Sequence, residues 1–218
     1  MRRVIAIDGP SGSGKTTMAK LIAQELGVDY LDTGALYRAI ALALRDNMID
    51  PEDGDDRIGD VLSRTLVTFR DGRVFLDGRD VSESIRSKDM DYYSSVFSAR
   101  KIVRDFLLDA QRQAALQHDL VVEGRDTTTV VFPDAAKKIF LDASVEERAK
   151  RRHNQFRGKG IDRSLDEARR NIIERDKRDS SRDIAPLRVA TDALFVDSSN
   201  LAIEQVKKKI LDFVKADP

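Results

Sequence analysis

The chain has 218 residues, a length that suits one α/β domain with small inserted parts. Its 38 basic and 38 acidic residues cancel, which excludes a general attraction to nucleic acid or to a membrane surface, and the lack of cysteine excludes disulfides and thiolate metal sites. No segment approaches the ~20 apolar residues of a membrane span, and the apolar run behind the basic N-terminus is too short for a signal peptide. We therefore expect a soluble, cytoplasmic protein.

The first fifth of the chain alternates between strand and helix patterns. A continuous apolar run at residues 4–7 predicts a strand buried on both faces of a parallel sheet. Apolar residues at helical spacing from Lys15 to Leu26 predict a helix that stops at Gly27. A short strand at residues 28–31 follows, and Asp32 or Thr33 caps a second helix.

The pattern changes between residues 50 and 117. Two apolar runs flank Asp-Gly at 71–72 and predict a β-hairpin, which a second Asp-Gly at 77–78 extends into a small antiparallel patch. Residues 82–117 have helical sequence without proline. This segment is interpreted as an insertion in the parallel sheet.

Strand and helix patterns alternate again towards the C-terminus. Strands are predicted at residues 120–122, 138–141 and 193–196, and a final helix at 201–216. Capping-box sequences at Ser144 and Ser164 begin two further helices. Five short apolar strands alternating with helices predict an α/β fold, a parallel five-stranded sheet with helices on both faces.

The segment between the first strand and the first helix matches the pattern G-x-x-x-x-G-K-[ST]. Its residues, all expected to bind the phosphates of ATP together with the adjacent Thr17, are Gly9, Pro10, Ser11, Gly12, Ser13, Gly14, Lys15 and Thr16. Glycines allow backbone N–H groups to surround an anion, and the following helix directs its N-terminus at the same phosphates. Lys15 supplies a compact positive charge, and the hydroxyl of Thr16 is the expected ligand of Mg²⁺.

This loop does not by itself define a reaction. A switch GTPase needs an N-K-x-D motif, and a motor ATPase usually has an apolar run ending in Asp-Glu; both are missing. The small size of the chain and its inserted segment favour a kinase of small molecules.

Five segments, taken in order, resemble the bacterial cytidylate kinases, which are nucleoside monophosphate (NMP) kinases. They are I-D-G-P-S-G-S-G-K (7–15), L-D-T-G-A-L-Y-R (31–38), E-G-R-D (123–126), V-V-F-P-D-A (130–135) and R-D-I-A-P-L (182–187), and the similarity runs over essentially the whole chain. The resemblance implies a P-loop core at 1–49, 118–147 and 165–218, an NMP-binding insertion at 50–117 and a lid at 148–164. It also implies Mg²⁺-dependent transfer of the γ-phosphoryl group of ATP to CMP or dCMP.

The resemblance further implies which residues bind the acceptor. The expected CMP-binding residues are Thr33, Arg38, Ser95, Arg104, Arg125, Asp126, Arg175, Asp179 and Arg182. Asp126 accepts a hydrogen bond from the N4 amino group of cytosine, which uracil lacks, and Arg104 and Ser95 donate to the rest of the base. Arg38 and Arg125 bind the CMP phosphate. Asp179 and Arg182, placed just after a helix at 164–178, contact the sugar and phosphates.

Seven basic residues between Arg148 and Arg163 form a dense positive stretch. Only Phe156 is available there for stacking, so a lid that brings arginines onto the transferring phosphoryl group is favoured over a nucleic-acid patch. Arg148 is assigned to ATP and Arg152 to catalysis, with Lys15, Arg125 and Arg182. Gly158, Lys159 and Gly160 are expected to supply mobility.

Two features depart from the family pattern. The family usually has Met-Gly where this chain has Thr127-Thr128, which puts a side chain where the backbone approaches the substrate; Tyr92 and Tyr93 replace small residues beside Ser95. Three other functions stay open: a kinase of UMP or a cofactor precursor, an RNA-associated ATPase, and a nucleotide sensor without turnover. The favoured interpretation is a monomer that binds ATP and CMP or dCMP, without a nucleic-acid or membrane partner.

Overall fold

The computed structural model of the chain describes residues 3–70, 72–87, 89–158 and 160–216. In chain order the elements are β1 (Val4–Asp8), α1 (Lys15–Leu26), β2 (Asp29–Asp32), α2 (Thr33–Asp46), α3 (Asp55–Leu62), β3 (Val67–Arg70), β4 (Arg73–Leu76), β5 (Arg79–Asp80), α4 (Met90–Phe97), α5 (Lys101–Gln117), β6 (Leu120–Gly124), β7 (Lys137–Asp142), α6 (Val145–Gly158), α7 (Leu165–Ser181), β8 (Leu194–Asp197) and α8 (Ile203–Lys215). A short 3₁₀ turn, Ser84–Arg86, precedes α4, and a π-helical turn, Thr127–Val131, follows β6.

The central sheet has the strand order β2-β6-β1-β7-β8, and each neighbouring pair is parallel. The prediction of a parallel five-stranded sheet is confirmed. Since β1 lies between β6 and β7, its carboxyl end meets those of its neighbours at one edge of the sheet. Ligands of open α/β sheets bind outside that edge.

Helices cover both faces of the sheet, because successive side chains of a strand point to opposite sides. Val4 and Ala6 of β1 belong to one core, which packs against α2 and α5. Ile5 and Ile7 belong to the other, which packs against α1 and α8. The predicted helices on both faces are thus confirmed.

The segment from α3 to α5 contains a second sheet, with antiparallel order β3-β4-β5. The hairpin and its extension after Gly78 are confirmed, although Asp71 of the predicted turn lies outside the described residues. Buried side chains of this segment, such as Ile58, Val74 and Phe97, join the same core as α2. The segment from α3 to α5 therefore extends the hydrophobic core on one face of the main sheet.

Some element ends differ from the sequence prediction. Helix α7 runs to Ser181 rather than 178, so that Asp179 lies in its last turn and Arg182 directly follows it. Three charges of the run at 175–182 are paired with other elements: Arg175 with Asp91, Asp176 with Arg148 and Asp179 with Arg125. Strand β2 ends at Asp32, whose side chain accepts a hydrogen bond from the backbone N–H of Ala35 and caps α2.

Within the part of the chain that the structure describes, no helix combines the length and the apolar character needed to cross a membrane.

A fully buried carboxylate, that of Asp8, ties the end of β1 to the turn after β6. Its Oδ1 accepts hydrogen bonds from the backbone N–H and the hydroxyl of Thr127 at 3.0 and 2.6 Å, and its Oδ2 accepts the matching pair from Thr128, both at 2.7 Å. Burial raises the pKa of Asp8, and these hydrogen bonds oppose that rise. The two threonine side chains thus face the carboxylate of Asp8. Both residues, which stand where the family pattern has Met-Gly, are buried.

Replacing Thr128 by valine is expected to destabilise the fold by about 1–3 kcal/mol, because a buried carboxylate loses a hydrogen-bond donor. Urea denaturation measures the change. Thr129→Val is the matched control, since the hydroxyl of Thr129 is buried without a hydrogen-bond partner and its removal costs little or stabilises. Equal destabilisation by the two variants would contradict this role for Thr128.

Candidate active site

The loop between β1 and α1 holds a conformation that its glycines make possible. Gly9 has φ = 152°, and a Cβ atom on it would lie 1.9 Å from the carbonyl oxygen of Leu141. Gly12 and Gly14 also have positive φ, of 79° and 98°. These residues curl the backbone so that the N-terminus of α1 faces a cleft, as the sequence predicts for an anion-binding loop.

Lys15 is buried at the base of this loop, where its Nζ donates to the carbonyl oxygen of Pro10 at 2.7 Å and to the hydroxyl of Ser13 at 3.4 Å. Burial lowers the pKa of Lys15 to about 7, and the charge of Arg125 acts in the same direction, whereas Glu123 and Asp8 oppose it. A phosphate bound beside Lys15 would raise this pKa and favour the charged ammonium form.

Glu123, at the end of β6, is a buried acid that sequence reasoning missed. Burial raises its pKa, as does the charge of Asp32, while Lys15 and hydrogen bonds from Thr16 and Tyr30 oppose that rise. The Tyr30 hydroxyl lies 2.9 Å from Oε1 of Glu123. The sequence signal that could have identified Glu123 is its position as an acid at the carboxyl end of the strand beside β1.

Thr16 and Thr17 are exposed at the mouth of the cleft.

The cleft has a volume of about 750 Å³, within the range of small-ligand sites. It extends along the carboxyl edge of the sheet, from the start of α8 past the loop to α4. Most residues that the sequence analysis assigns to the phosphate loop, to the acceptor or to catalysis line this cleft. They are Ser11, Gly12, Ser13, Gly14, Lys15, Thr16, Thr17, Thr33, Arg38, Arg104, Arg125, Asp126, Arg152, Arg175, Asp179 and Arg182.

At one end of the cleft, Asp126 and Arg104 form a buried ion pair, with each side chain 7% exposed. Arg182 approaches Asp126 at 3.6 Å and donates its Nε to the carbonyl of Ala185 at 2.7 Å. The Arg104 guanidinium also lies 5.5 Å from the centre of the Tyr37 ring, another cavity residue that sequence reasoning missed. Spacing along α2 gives Tyr37 the pattern of a core residue, which hides this contact.

Ser95 lies on α4 near this end, and its hydroxyl is buried without a hydrogen-bond partner. Ser95 does not line the cleft itself, whereas Ser94 and Ser98 of the same helix do. The structure therefore does not bring Ser95 into the cleft with the other residues predicted to bind the base.

The centre of the cleft gathers guanidinium groups. Arg125 donates its Nε to Asp179 at 2.8 Å, and Arg175 lies 4.0 Å from the same carboxylate. The carboxylate of Asp91 forms a second meeting point, which is contacted by Arg38, Arg152 and Arg175. The hydroxyl of Thr33 points away from these groups and donates to the carbonyl oxygen of Glu123 at 2.8 Å.

Arg148, predicted to contact ATP, is placed behind the loop rather than in the cleft. It is buried and donates to the carbonyl oxygens of Ala143 and Ser11 at 2.8 and 3.0 Å, and to Asp176 at 2.5 Å. Arg151, one helical turn further, lines the cleft and donates to the carbonyl oxygen of Ser13 at 3.2 Å. Both side chains therefore brace the phosphate loop from α6. Lys159 of the basic stretch lies outside the described residues.

Comparison with known proteins agrees with this geometry. The family model described as cytidylate kinase matches residues 5–216. The curated cytidylate kinase of Thermodesulfovibrio yellowstonii is 49% identical over 221 residues, covering 100% of both chains. Those of Thermosipho melanesiensis and Bacillus cereus are 48% and 42% identical, covering 97% and 96% of this chain and 96% and 95% of theirs.

Among solved structures, an uncharacterized protein from Eubacterium ventriosum superposes with a TM-score of 0.53 at 13% identity, covering 99% of this chain and 100% of its own. This likeness concerns the fold alone. The family match over nearly the whole chain and the identities of 42–49% carry the assignment. The chain belongs to the cytidylate kinase family.

Proposed function

We propose that this protein transfers the γ-phosphoryl group of ATP to CMP or dCMP, giving ADP and CDP or dCDP. One observation supports this assignment most directly. A single cleft has the phosphate-binding loop on one side, a buried Asp126–Arg104 pair at its far end, and arginines between them. Two nucleotides that meet phosphate to phosphate need this order of groups.

The loop from Gly9 to Thr17 holds the triphosphate of ATP, with Lys15 on its outer phosphates. Among the described residues, no group of three or more His, Cys, Asp or Glu side chains is arranged to hold a metal. The hydroxyl of Thr16 would hold Mg²⁺ together with the phosphates of ATP, since kinases bind this cation with their substrate. When bound, it neutralises charge that develops on the phosphates.

The far end of the cleft recognises the base of the acceptor. Asp126 accepts from the N4 amino group of cytosine, and Arg104 and Ser95 donate to its acceptors. The position of the buried Asp126–Arg104 pair in the lining of the cleft supports this role, because it places a carboxylate acceptor and guanidinium donors where the base is expected. Uracil places a carbonyl oxygen against Asp126 and is rejected.

Between the two ends, Arg38, Arg125 and Arg175 bind the phosphate of CMP, and Thr33 and Asp179 position the groups around it. Arg152 approaches the transferring group, whereas Arg182, which lies 3.6 Å from Asp126, contacts CMP nearer its base. An oxygen of the CMP phosphate attacks the γ-phosphorus as the bond to the β–γ bridging oxygen breaks, and ADP leaves. The acceptor is already an anion, so no general base is needed. Catalysis comes from alignment and charge neutralisation.

The remaining assignments follow from this function. Residues 50–117 act as the NMP-binding part and residues 148–164 as the lid, whose closure excludes water. Arg148 and Arg151 donate to the phosphate loop, which anchors the beginning of this segment to the donor site. The protein acts as a monomer without a nucleic-acid partner.

A panel of ATP-dependent phosphorylation assays tests the function. CMP, dCMP, UMP, AMP and GMP are offered with and without RNA. We expect turnover of CMP and dCMP that RNA does not change. Preferred phosphorylation of another acceptor, ATP hydrolysis that requires RNA, or binding without turnover would each point to one of the alternative functions.

Lys15→Ala is expected to lower kcat with CMP about 10²–10³-fold, because the variant loses a positive charge that stabilises the transferring phosphoryl group. Steady-state kinetics with circular dichroism as a folding check measures this loss. Near-normal turnover in a folded variant would remove Lys15 from the donor site.

Asp126→Asn is expected to lower the ratio of kcat/KM for CMP over UMP about 10- to 100-fold, since an amide donates to the uracil carbonyl that the carboxylate repels. The KM for ATP is the internal control and stays close to that of the unmodified protein. An unchanged CMP/UMP ratio would show that Asp126 does not read the base.

ATP binding is expected to take up on the order of one proton at pH 8, because the pKa of Lys15 is about 7 in the free protein and rises beside a phosphate. At pH 6 Lys15 is already charged and the uptake is smaller. Calorimetry in buffers with different ionisation enthalpies measures the uptake, and Lys15→Met abolishes most of it. A binding enthalpy at pH 8 that is independent of the buffer would contradict this account of Lys15.

A further inference from the structure

One carboxylate, that of Asp91 in the first turn of α4, contacts arginines from three other helices. Its Oδ1 lies 3.3 Å from Nη2 of Arg38 on α2 and 3.7 Å from Nη1 of Arg175 on α7. Its Oδ2 accepts a hydrogen bond from Nη2 of Arg152 on α6. Asp91 itself lines the cleft. Its contacts therefore link α4 to three other helices around the cleft.

The arginines around Asp91 are held in position by other contacts. The Arg152 guanidinium lies 4.6 Å from the centre of the Phe156 ring and donates to Oε1 of Gln155 at 2.7 Å. The Nε of Arg175 is buried without a hydrogen-bond partner and lies 4.0 Å from Oδ2 of Asp179. The contacts of Arg38 and Arg175 with Asp91, at 3.3 and 3.7 Å, are longer than a charge-assisted hydrogen bond, so donors remain for an anion with more acceptor oxygens than a carboxylate has.

The charges at this point do not balance. Burial alone would raise the pKa of Asp91, but the charges of Arg152, Arg38 and Arg175 lower it to about 2, so Asp91 carries its negative charge at neutral pH. Three guanidinium groups face this carboxylate, and of the three Arg175 also approaches Asp179, at 4.0 Å. A phosphate monoester, with two charges and three terminal oxygens, matches them better than Asp91 does.

We propose that Asp91 is an internal counter-ion that occupies the phosphate position of the acceptor and must be displaced when the acceptor binds. The inference rests on the proposed function only for the identity of that acceptor. Asp91 competes with the incoming phosphate for Arg38 and Arg175 and also binds Arg152, and so it weakens acceptor binding in this protein. It acts through these arginines and does not take part in the chemical step.

Asp91→Asn tests the proposal, because it keeps the shape of the side chain and removes its charge. The apparent Kd for CMP is expected to fall about threefold to tenfold. Asp91 occupies the phosphate position most of the time, and removing its charge raises the fraction of protein that can bind CMP by this factor. The KM for CMP falls with it, and kcat changes little. Binding of cytidine, which has no phosphate, stays unchanged, which a general loosening of the fold would not produce.

Asp89→Asn is the matched control, since Asp89 precedes α4 and pairs with Arg45 at 2.6 Å, away from the arginine cluster. Asp91→Glu keeps the charge and is expected to retain weaker CMP binding than Asp91→Asn. A Kd for CMP that is unchanged or higher in Asp91→Asn would overturn the proposal.

Inorganic phosphate separates this inference from the function. Titrated alone, it is expected to bind Asp91→Asn more tightly than the unmodified protein, whatever the nucleotide acceptor is. Failure of this gain contradicts the role of Asp91, whereas failure of CMP turnover in the unmodified protein contradicts the proposed function.

Discussion

The cost of burying positive charge governs the arrangement of this cleft. A cation taken out of water is stable only beside an anion or several hydrogen-bond acceptors. Arg104 pairs with Asp126, Arg125 with Asp179, and Arg38, Arg152 and Arg175 share Asp91. The positive groups outnumber these carboxylates, so the cleft without ligand keeps an excess of positive charge that phosphate neutralises.

The fold brings these charges together by position rather than by sequence proximity. Parallel strands end at one edge of the sheet, and the loop after β1, the turn after β6 and the start of α2 all leave from that edge. The buried carboxylate of Asp8 fixes two of these segments to each other through Thr127 and Thr128. Arg125 and Asp126 are thereby held beside the phosphate loop, and the donor and acceptor sites share one wall.

Much of the fold and of the donor loop was predictable, because both depend on local patterns. Apolar runs, helical spacing and the glycines of the loop identify the five strands, the first helix and Lys15 without tertiary information. The acceptor residues were available only through resemblance, since Arg104 and Asp126 are far apart in sequence and meet through the packing of α5 against the turn after β6. Roles that depend on side-chain direction escaped prediction. Arg148 and Arg151 lie on the same helix, yet of the two only Arg151 lines the cleft. The role proposed for Asp91 depends on its contacts with arginines on three other helices, which the sequence pattern does not show.

The central claim is that one cleft holds both nucleotides with their phosphates adjoining. Calorimetric titration with adenosine and cytidine joined by a chain of five phosphates tests it most directly. The account predicts one molecule bound per chain, more tightly than either ATP or CMP, and competition with both nucleotides. Binding no tighter than that of ATP alone, or competition with only one of the two nucleotides, would contradict a shared cleft.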